Sequence, residues 1–382
     1  MDTPTSSLPG PQVPVFNPPK RLLMGPGPTD VPERVLAAMA RPTIGHLDPA
    51  FVEMMEQVKT LSRYVFQTSN PLTFPISAPG SVGMEACFVN LVEPGDTVVV
   101  CVNGVFGLRM VENVKRCGGT PVIVEDAWGE AVDPAKLRAT LKSHPETKVV
   151  AFVQAETSTG VLSDAQTLAG IAHEHGALVI MDCVTSLGGV PVLIDAWGID
   201  AAYSCSQKCL SCTPGLAPVT FSPRAIEHVY ARKTPVQSWF LDLNLVMGYW
   251  SGEGGRTYHH TAPINPLYGL HEALRMIAEE GLESAWARHQ RMHDLLKAGL
   301  GELGIELLVK PEARLPQVNT VLIPDGCNDA AVRKQLLTEY NLEIGAGLGA
   351  LAGKVWRIGM LGYGAREENV QHCLSALREV LR

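Results

Sequence analysis

The sequence predicts an α/β protein: a large domain on a mainly parallel sheet, followed by a smaller α+β domain at the C-terminus. Three observations predict it. Between residues 72 and 203, continuously apolar strand-like runs alternate with helical runs, as in a parallel sheet covered on both faces. After two long helical stretches, strands and helices resume in a C-terminal segment with its own apolar pattern. The chain has 382 residues, more than one average domain. The expected division is an N-terminal arm over 1–30, a large domain over 31–280 and a small domain over 281–382.

The arm carries Pro4, Pro9, Pro11, Pro14, Pro18 and Pro19, which favour an extended path. It ends in Gly25-Pro26-Gly27-Pro28, a stiff turn that is either a linker or a place where backbone approaches a ligand. Helices are expected over 32–40 and 49–66, the second from Phe51, Met54, Met55, Val58, Leu61 and Val65 at helical spacing. A strand over 72–76 leads through Ser77-Ala78-Pro79-Gly80-Ser81 into a helix former, an arrangement that aims free N–H groups at one spot and suits an anion. Further strands are expected over 97–102, 120–124, 148–153, 177–181 and 199–203, and helices over 106–117, 134–143 and 164–175. Helices over 263–280 and 282–303 follow. The small domain should contain strands over 317–323, 342–344 and 355–358 and helices over 329–340 and 366–381. Gly345-Ala346-Gly347-Leu348-Gly349 has dinucleotide-loop spacing, but a strand follows where that motif needs a helix.

Composition narrows the function classes. The formal net charge of −8 disfavours nucleic acid or an anionic membrane as partner. No run approaches the roughly 20 apolar residues of a membrane span. Residues 1–19 lack the apolar core of a signal peptide, and the C-terminus lacks a peroxisomal tripeptide, so a cytoplasmic protein is expected. Charged residues make up 18%, against a usual value of about 25%, which leaves surface for a partner subunit. Nine cysteines, scattered through apolar segments, read as reduced buried thiols. Cys205, Cys209 and Cys212 lack a second ligand cluster, and His259 and His260 are adjacent rather than convergent, so no metal is expected.

Ligands of parallel sheets sit at the carboxyl ends of the strands. Three features fall there: Thr157-Ser158-Thr159-Gly160, Asp182 and Lys208. Lys208 follows Ser204-Cys205-Ser206-Gln207, small residues that fix a lysine by backbone; a fixed lysine of lowered pKa forms Schiff bases with aldehydes. Asp182 closes an apolar strand and needs a cationic or N–H partner, although a turn or cap aspartate fits locally as well. Lysine, aspartate and a helix N-terminus for a phosphate are together the fixtures of a pyridoxal phosphate site. Arg357, inside an apolar strand, suits a carboxylate of a substrate or of an internal salt bridge.

The segments Gly25-Pro26-Gly27-Pro28, Thr157 to Gly160, Asp182-Cys183-Val184-Thr185-Ser186-Leu187-Gly188-Gly189, Ser206-Gln207-Lys208, Tyr258-His259-His260-Thr261 and Trp356-Arg357-Ile358-Gly359 stand in order along the chain. As a set they resemble the alanine–glyoxylate and serine–glyoxylate aminotransferases, class V enzymes of fold type I that use pyridoxal 5'-phosphate. The resemblance implies a seven-stranded sheet and a ping-pong transfer from alanine or serine to glyoxylate. It implies Lys208 as Schiff-base lysine and proton carrier, and Asp182 on the pyridine nitrogen. Gly80, Ser81 and Gln207 would hold the phosphate, Thr157 the ring hydroxyl and Phe106 the ring face, and Val184 would also contact the cofactor. Tyr258 and Thr261 would reach the phosphate of the neighbouring subunit, making a homodimer with shared sites. Arg357 would grip the substrate carboxylate, with Gly27 and Thr157 lining its pocket.

Ser81 replaces a histidine of animal members. A close branch acts on ureidoglycine and carries asparagine and glutamine where this chain has Tyr258 and His46; those two residues favour the alanine/serine branch. A lyase or desulfurase of the same fold would need a nucleophilic cysteine in the small domain, where Cys327 is the one loop candidate.

Overall fold

The computed structural model describes residues 10–250 and 256–382; the first nine residues of the arm, and Gly254 and Gly255 of the middle section, lie outside them. Seven strands form the central sheet: β1 (Leu72–Ile76), β2 (Thr97–Val102), β3 (Thr120–Glu125), β4 (Val149–Val153), β5 (Leu178–Asp182), β6 (Ala201–Tyr203) and β7 (Ala217–Phe221). Their order across the sheet is β1-β7-β6-β5-β4-β2-β3. The five strands from β6 to β3 pair in parallel, and β7 runs antiparallel to both β6 and β1.

The inner strands are apolar without alternation because helices cover both faces. Val149 to Val153 and Leu178 to Asp182 are buried at every position. The helices start where their caps say they should. Asp48, Asp133 and Asp164 each accept a first-turn N–H, and proline opens two of the three helices.

The sequence reading missed β7 and the two helices after it, Pro223–Tyr230 and Leu243–Trp250. Ala-Pro-Val-Thr-Phe reads poorly as an inner strand, since proline cannot donate to a ladder. Pro218 lies opposite Pro75 of the edge strand β1, and its own carbonyl accepts from the Ser204 N–H at 2.8 Å. The pairing survives because no donor is required at either proline. The helix over Pro223–Tyr230 carries a cap signal, Ser222 followed by proline, and the Ser222 hydroxyl accepts from the Ala225 N–H.

The C-terminal part holds a second core under an antiparallel sheet of β8 (Val318–Leu322), β9 (Gly345–Ala346) and β10 (Val355–Gly359), in the order β8-β10-β9. Gly345 to Gly349 therefore supply a strand and the start of a 3-10 turn. The end of the arm joins this core. Leu22–Leu23 pairs in parallel with Leu342–Glu343, and Met24 is buried beside Leu342, Trp356 and Ile358. The Gly359 N–H donates to the Met24 carbonyl at 2.7 Å, and a Cβ on Gly359 would overlap the Gly25 carbonyl.

Gly359→Ala should therefore push the arm off β10 and destabilise the fold by about 2–4 kcal/mol in denaturant titration. Gly301→Ala is the control. That position is helical with open space around it, and the substitution should be neutral or stabilise by up to about 1 kcal/mol.

Candidate active site

Three neighbouring parallel strands, β4, β5 and β6, bring their carboxyl ends to one place. In register, Val153 lies opposite Asp182 and Asp182 opposite Tyr203. Glu156 and Thr157 follow β4, Asp182 ends β5, and the loop to Lys208 follows β6. Because β7 reverses direction, β1 points the same way as β6, and the turn after β1 opens on the same edge.

Asp182 is 3% exposed. It accepts from the Val184 N–H at 2.8 Å and from the Tyr203 hydroxyl at 2.7 Å. Burial pushes its pKa up to about 7; the nearby Glu156 charge adds to the rise, while both hydrogen bonds and Lys208 oppose it. Lys208 is half-buried, and its Nζ donates to the Pro26 carbonyl. Burial lowers its pKa, and Arg357 lowers it further. Gly27 makes this approach possible: its φ is +108°, and a Cβ there would lie 2.5 Å from the lysine Nζ. The loop is tied to the arm again through the Thr29 N–H, which donates to the Gln207 carbonyl at 3.1 Å.

The helix Gly80–Leu91 begins against this loop. A Cβ on Gly80 would come within 2.9 Å of the Cys205 Cβ and 3.6 Å of Val184 Cγ2. Its N-cap is Pro79, with no side-chain cap; the Val82 N–H donates to the Pro79 carbonyl at 2.8 Å, and the Gly80 and Ser81 N–H groups remain open to an anion. Ser81 is exposed at the same end. Phe106 is half-buried in the first turn of the helix Val105–Arg116, with the Arg109 guanidinium 4.8 Å from its ring centre.

Arg357 reaches the site from β10. It is 7% exposed, its Nε donates to the Ala346 carbonyl at 2.8 Å, and its Nη1 donates to the Thr157 carbonyl at 3.2 Å. It pairs with no carboxylate among the described residues, so the internal salt bridge left open by the sequence is not what holds it. Burial lowers its pKa to about 10, and Glu156 resists that fall. Thr157 is buried, its hydroxyl sharing a hydrogen bond of 2.5 Å with the Thr185 hydroxyl.

The structure thus brings together Gly27, Gly80, Thr157, Asp182, Val184, Gln207, Lys208 and Arg357. It does not bring in Tyr258 and Thr261. Both are exposed, Tyr258 at 66%, and their hydroxyls lie 3.5 Å from each other. Sequence reasoning missed Glu156, Thr185 and Tyr203. Glu156 carried a readable signal, an acid between an apolar strand and a Thr-Ser-Thr-Gly turn; Tyr203 ends a strand as an unremarked aromatic. Among the described residues no group of three His, Cys, Asp or Glu side chains is placed to hold a metal, and no helix is long and apolar enough to cross a membrane.

A family model described as aminotransferase class-V matches residues 21–371. The chain belongs to the class-V aminotransferases. This class-V aminotransferase is 40% identical over 366 residues to an alanine–glyoxylate aminotransferase of Rattus norvegicus, covering 95% of this chain and 88% of the relative. Two crystal structures are similar throughout. An alanine–glyoxylate aminotransferase from Nostoc sp. has a TM-score of 0.95 at 48% identity, covering 97% of this chain and 98% of the other. A ureidoglycine–glyoxylate aminotransferase from Bacillus subtilis has a TM-score of 0.93 at 38% identity, with coverage of 96% and 94%. The fold is therefore fold type I, and the protein is a transaminase dependent on pyridoxal phosphate.

The residues present fit that cofactor on their own atoms. The helix end at Gly80 has no side-chain cap, which leaves N–H donors that suit an anionic phosphate. The Asp182 carboxylate, buried with no cation in direct contact, suits a protonated ring nitrogen.

Asp182 makes the cofactor-free protein pH-sensitive. Its folded pKa is raised above the ordinary 3.8, so the folded state prefers the protonated carboxyl. The resulting cost to folding is absent below the ordinary value, grows as pH rises, and is complete above the folded value of about 7. Thermal melts of cofactor-free protein should lose more stability between about pH 5 and about pH 8 for the wild type than for Asp182→Asn.

Proposed function

We propose that this enzyme moves the amino group of alanine to glyoxylate, yielding pyruvate and glycine, with serine as a second donor yielding hydroxypyruvate. The observation that carries the reading is Arg357. It is a buried guanidinium held only by backbone carbonyls, near enough to Lys208 for its charge to lower the lysine's pKa. Such a group favours a small carboxylate ligand, as every amino acid and 2-oxo acid supplies. The class follows from the family, and two alanine–glyoxylate aminotransferases at 40% and 48% identity support the choice of substrates.

When bound, pyridoxal phosphate supplies an aldehyde that condenses with amino groups and a ring that accepts electrons from a breaking Cα–H bond. The protein's own groups divide the remaining work. Lys208 Nζ, its pKa lowered by burial, holds the cofactor between turnovers and carries the proton to and from the substrate Cα. Asp182 holds a protonated ring nitrogen. Gly80, Ser81 and Gln207 hold the phosphate at the open helix end, where the N–H groups and helix dipole favour an anion. Thr157 serves the ring hydroxyl, Phe106 and Val184 cover the ring, and Gly27 and Thr157 line the space beside Arg357.

The same reading makes the protein a homodimer. Tyr258 and Thr261, exposed here, would complete the partner's phosphate site. The presence of His46 and Tyr258 favours the alanine/serine branch, and their rings pack 5.3 Å apart. The 38% identical ureidoglycine–glyoxylate aminotransferase keeps ureidoglycine as the second reading. Nine free cysteines, all but Cys327 buried, suit a reducing compartment such as the cytoplasm. The domain reading stays as arm, large and small domains over 1–30, 31–280 and 281–382.

Lys208→Ala should abolish covalent capture of the cofactor, read as loss of the visible band after gel filtration, and should lower turnover by several orders of magnitude. Arg357→Ala should leave that band intact and raise KM for alanine by about 100-fold. Equal loss of band and turnover in Arg357→Ala would show that the arginine serves the fold.

A further inference from the structure

Glu156 is a fully buried carboxylate directly before the turn Thr157 to Gly160, and it joins that turn to a neighbouring helix. Its Oε1 accepts from the Ser158 N–H at 3.1 Å and from the Ser158 hydroxyl at 2.5 Å. Its Oε2 accepts from the Phe106 N–H at 3.1 Å and from the Gly107 N–H at 3.4 Å. Phe106 and Gly107 belong to the first turn of the helix Val105–Arg116, whose own N-cap, Gly104, provides no side chain. The Val105 N–H donates to the Ser158 hydroxyl at 3.0 Å, so that hydroxyl links the same helix end to the same carboxylate. Glu156 therefore caps this helix from a neighbouring strand end. Gly104 leaves the room: a Cβ there would overlap the Glu156 carboxyl and come within 2.5 Å of Ser158 Oγ.

Two helix ends open on the site, and this cap distinguishes them. The end at Val105 is already occupied by a negative charge, and the end at Gly80 is free for an anion. The next residue, Thr157, gives its carbonyl to Arg357 Nη1. One carboxylate thus joins the backbone of Phe106, the turn carrying Thr157 and, through it, the guanidinium of Arg357.

We propose that Glu156 is a positioning residue that sets the mutual placement of Phe106, Thr157 and Arg357 for cofactor and substrate. The proposal rests on the reading of Phe106, Thr157 and Arg357 as cofactor and substrate contacts. Its charge matters as well as its shape. A cap could be made by a neutral side chain, whereas this carboxylate helps keep the buried Arg357 charged and adds to the raised pKa of Asp182. Burial raises its own pKa, and the four donors oppose that rise without a counter-ion in contact.

Glu156→Gln tests this in the holoenzyme. The amide keeps the shape, removes the charge and turns one of the two acceptors into a donor facing N–H groups. Three quantities are read: the melting temperature, the visible circular dichroism of the bound cofactor, and the KM and kcat for alanine with glyoxylate. KM should rise about ten-fold with a smaller change in kcat, and the visible dichroism should weaken, while the melting temperature stays within about 3 °C of wild type. Unchanged KM and dichroism would overturn the proposal and leave Glu156 a cap only. If Glu156→Gln fails to fold, Ser158→Ala decides, since it removes the hydroxyl's bond to the carboxylate and its bond from the Val105 N–H while keeping the Glu156 side chain. Weakened dichroism with a raised KM in that variant supports the proposal, and wild-type values overturn it. If wild-type enzyme does not use alanine, the proposed substrate is wrong, while the dichroism comparison still decides the role of Glu156.

Discussion

Four ionisable side chains meet at one edge of one sheet, three of them buried and Lys208 half-buried, and the rest of the structure is arranged to make that tolerable. Two are acids, Glu156 and Asp182, and two are bases, Lys208 and Arg357. None of the four has an opposite charge in direct contact among the described residues. Backbone satisfies most of them. Val184, Ser158, Phe106 and Gly107 give N–H groups to the acids, and Pro26, Thr157 and Ala346 give carbonyls to the bases. Buried charges compensated by dipoles rather than by partner ions remain available to a ligand that brings its own charges. A cofactor with a cationic ring and an anionic phosphate, and a substrate with a carboxylate, are ligands of that kind.

The topology explains why backbone can do this. Parallel strands end at the same edge, so the residues after β4, β5 and β6 meet without long loops. The antiparallel β7 then turns the chain back so that the turn after β1 joins them. From the other side, the end of the arm reaches Lys208 through the Pro26 carbonyl, and β10 reaches Thr157 through Arg357. Gly359 and Gly27 permit approaches that no other residue allows, one bringing the arm onto β10 and the other bringing Lys208 under the arm.

Much of this was legible in the sequence, for reasons that can be named. The inner strands were visible because burial on both faces makes them apolar throughout, and long helices were visible through their spacing and caps. Lys208, Asp182 and the helix end at Gly80 were visible because each sits at a strand end. What escaped depended on long-range pairing. β7 is hidden by Pro218, a proline whose pairing with Pro75 needs no donor from either residue. Tyr203 and Thr185 matter because of what lies beside them in the sheet, and nothing local marks them. Glu156 was overlooked although an acid at the end of an apolar strand is rarely idle. The place of Tyr258 and Thr261 concerns a surface, and a single chain leaves that surface exposed.

The measurement that tests the account most directly is a half-reaction followed through the cofactor's visible absorption. Purified enzyme is mixed with alanine in the absence of any acceptor. The account predicts that alanine discharges the visible band and that glyoxylate restores it, faster than (S)-ureidoglycine discharges it under the same conditions. A band untouched by alanine and serine but discharged by ureidoglycine would contradict the substrate assignment, although the transaminase class would stand.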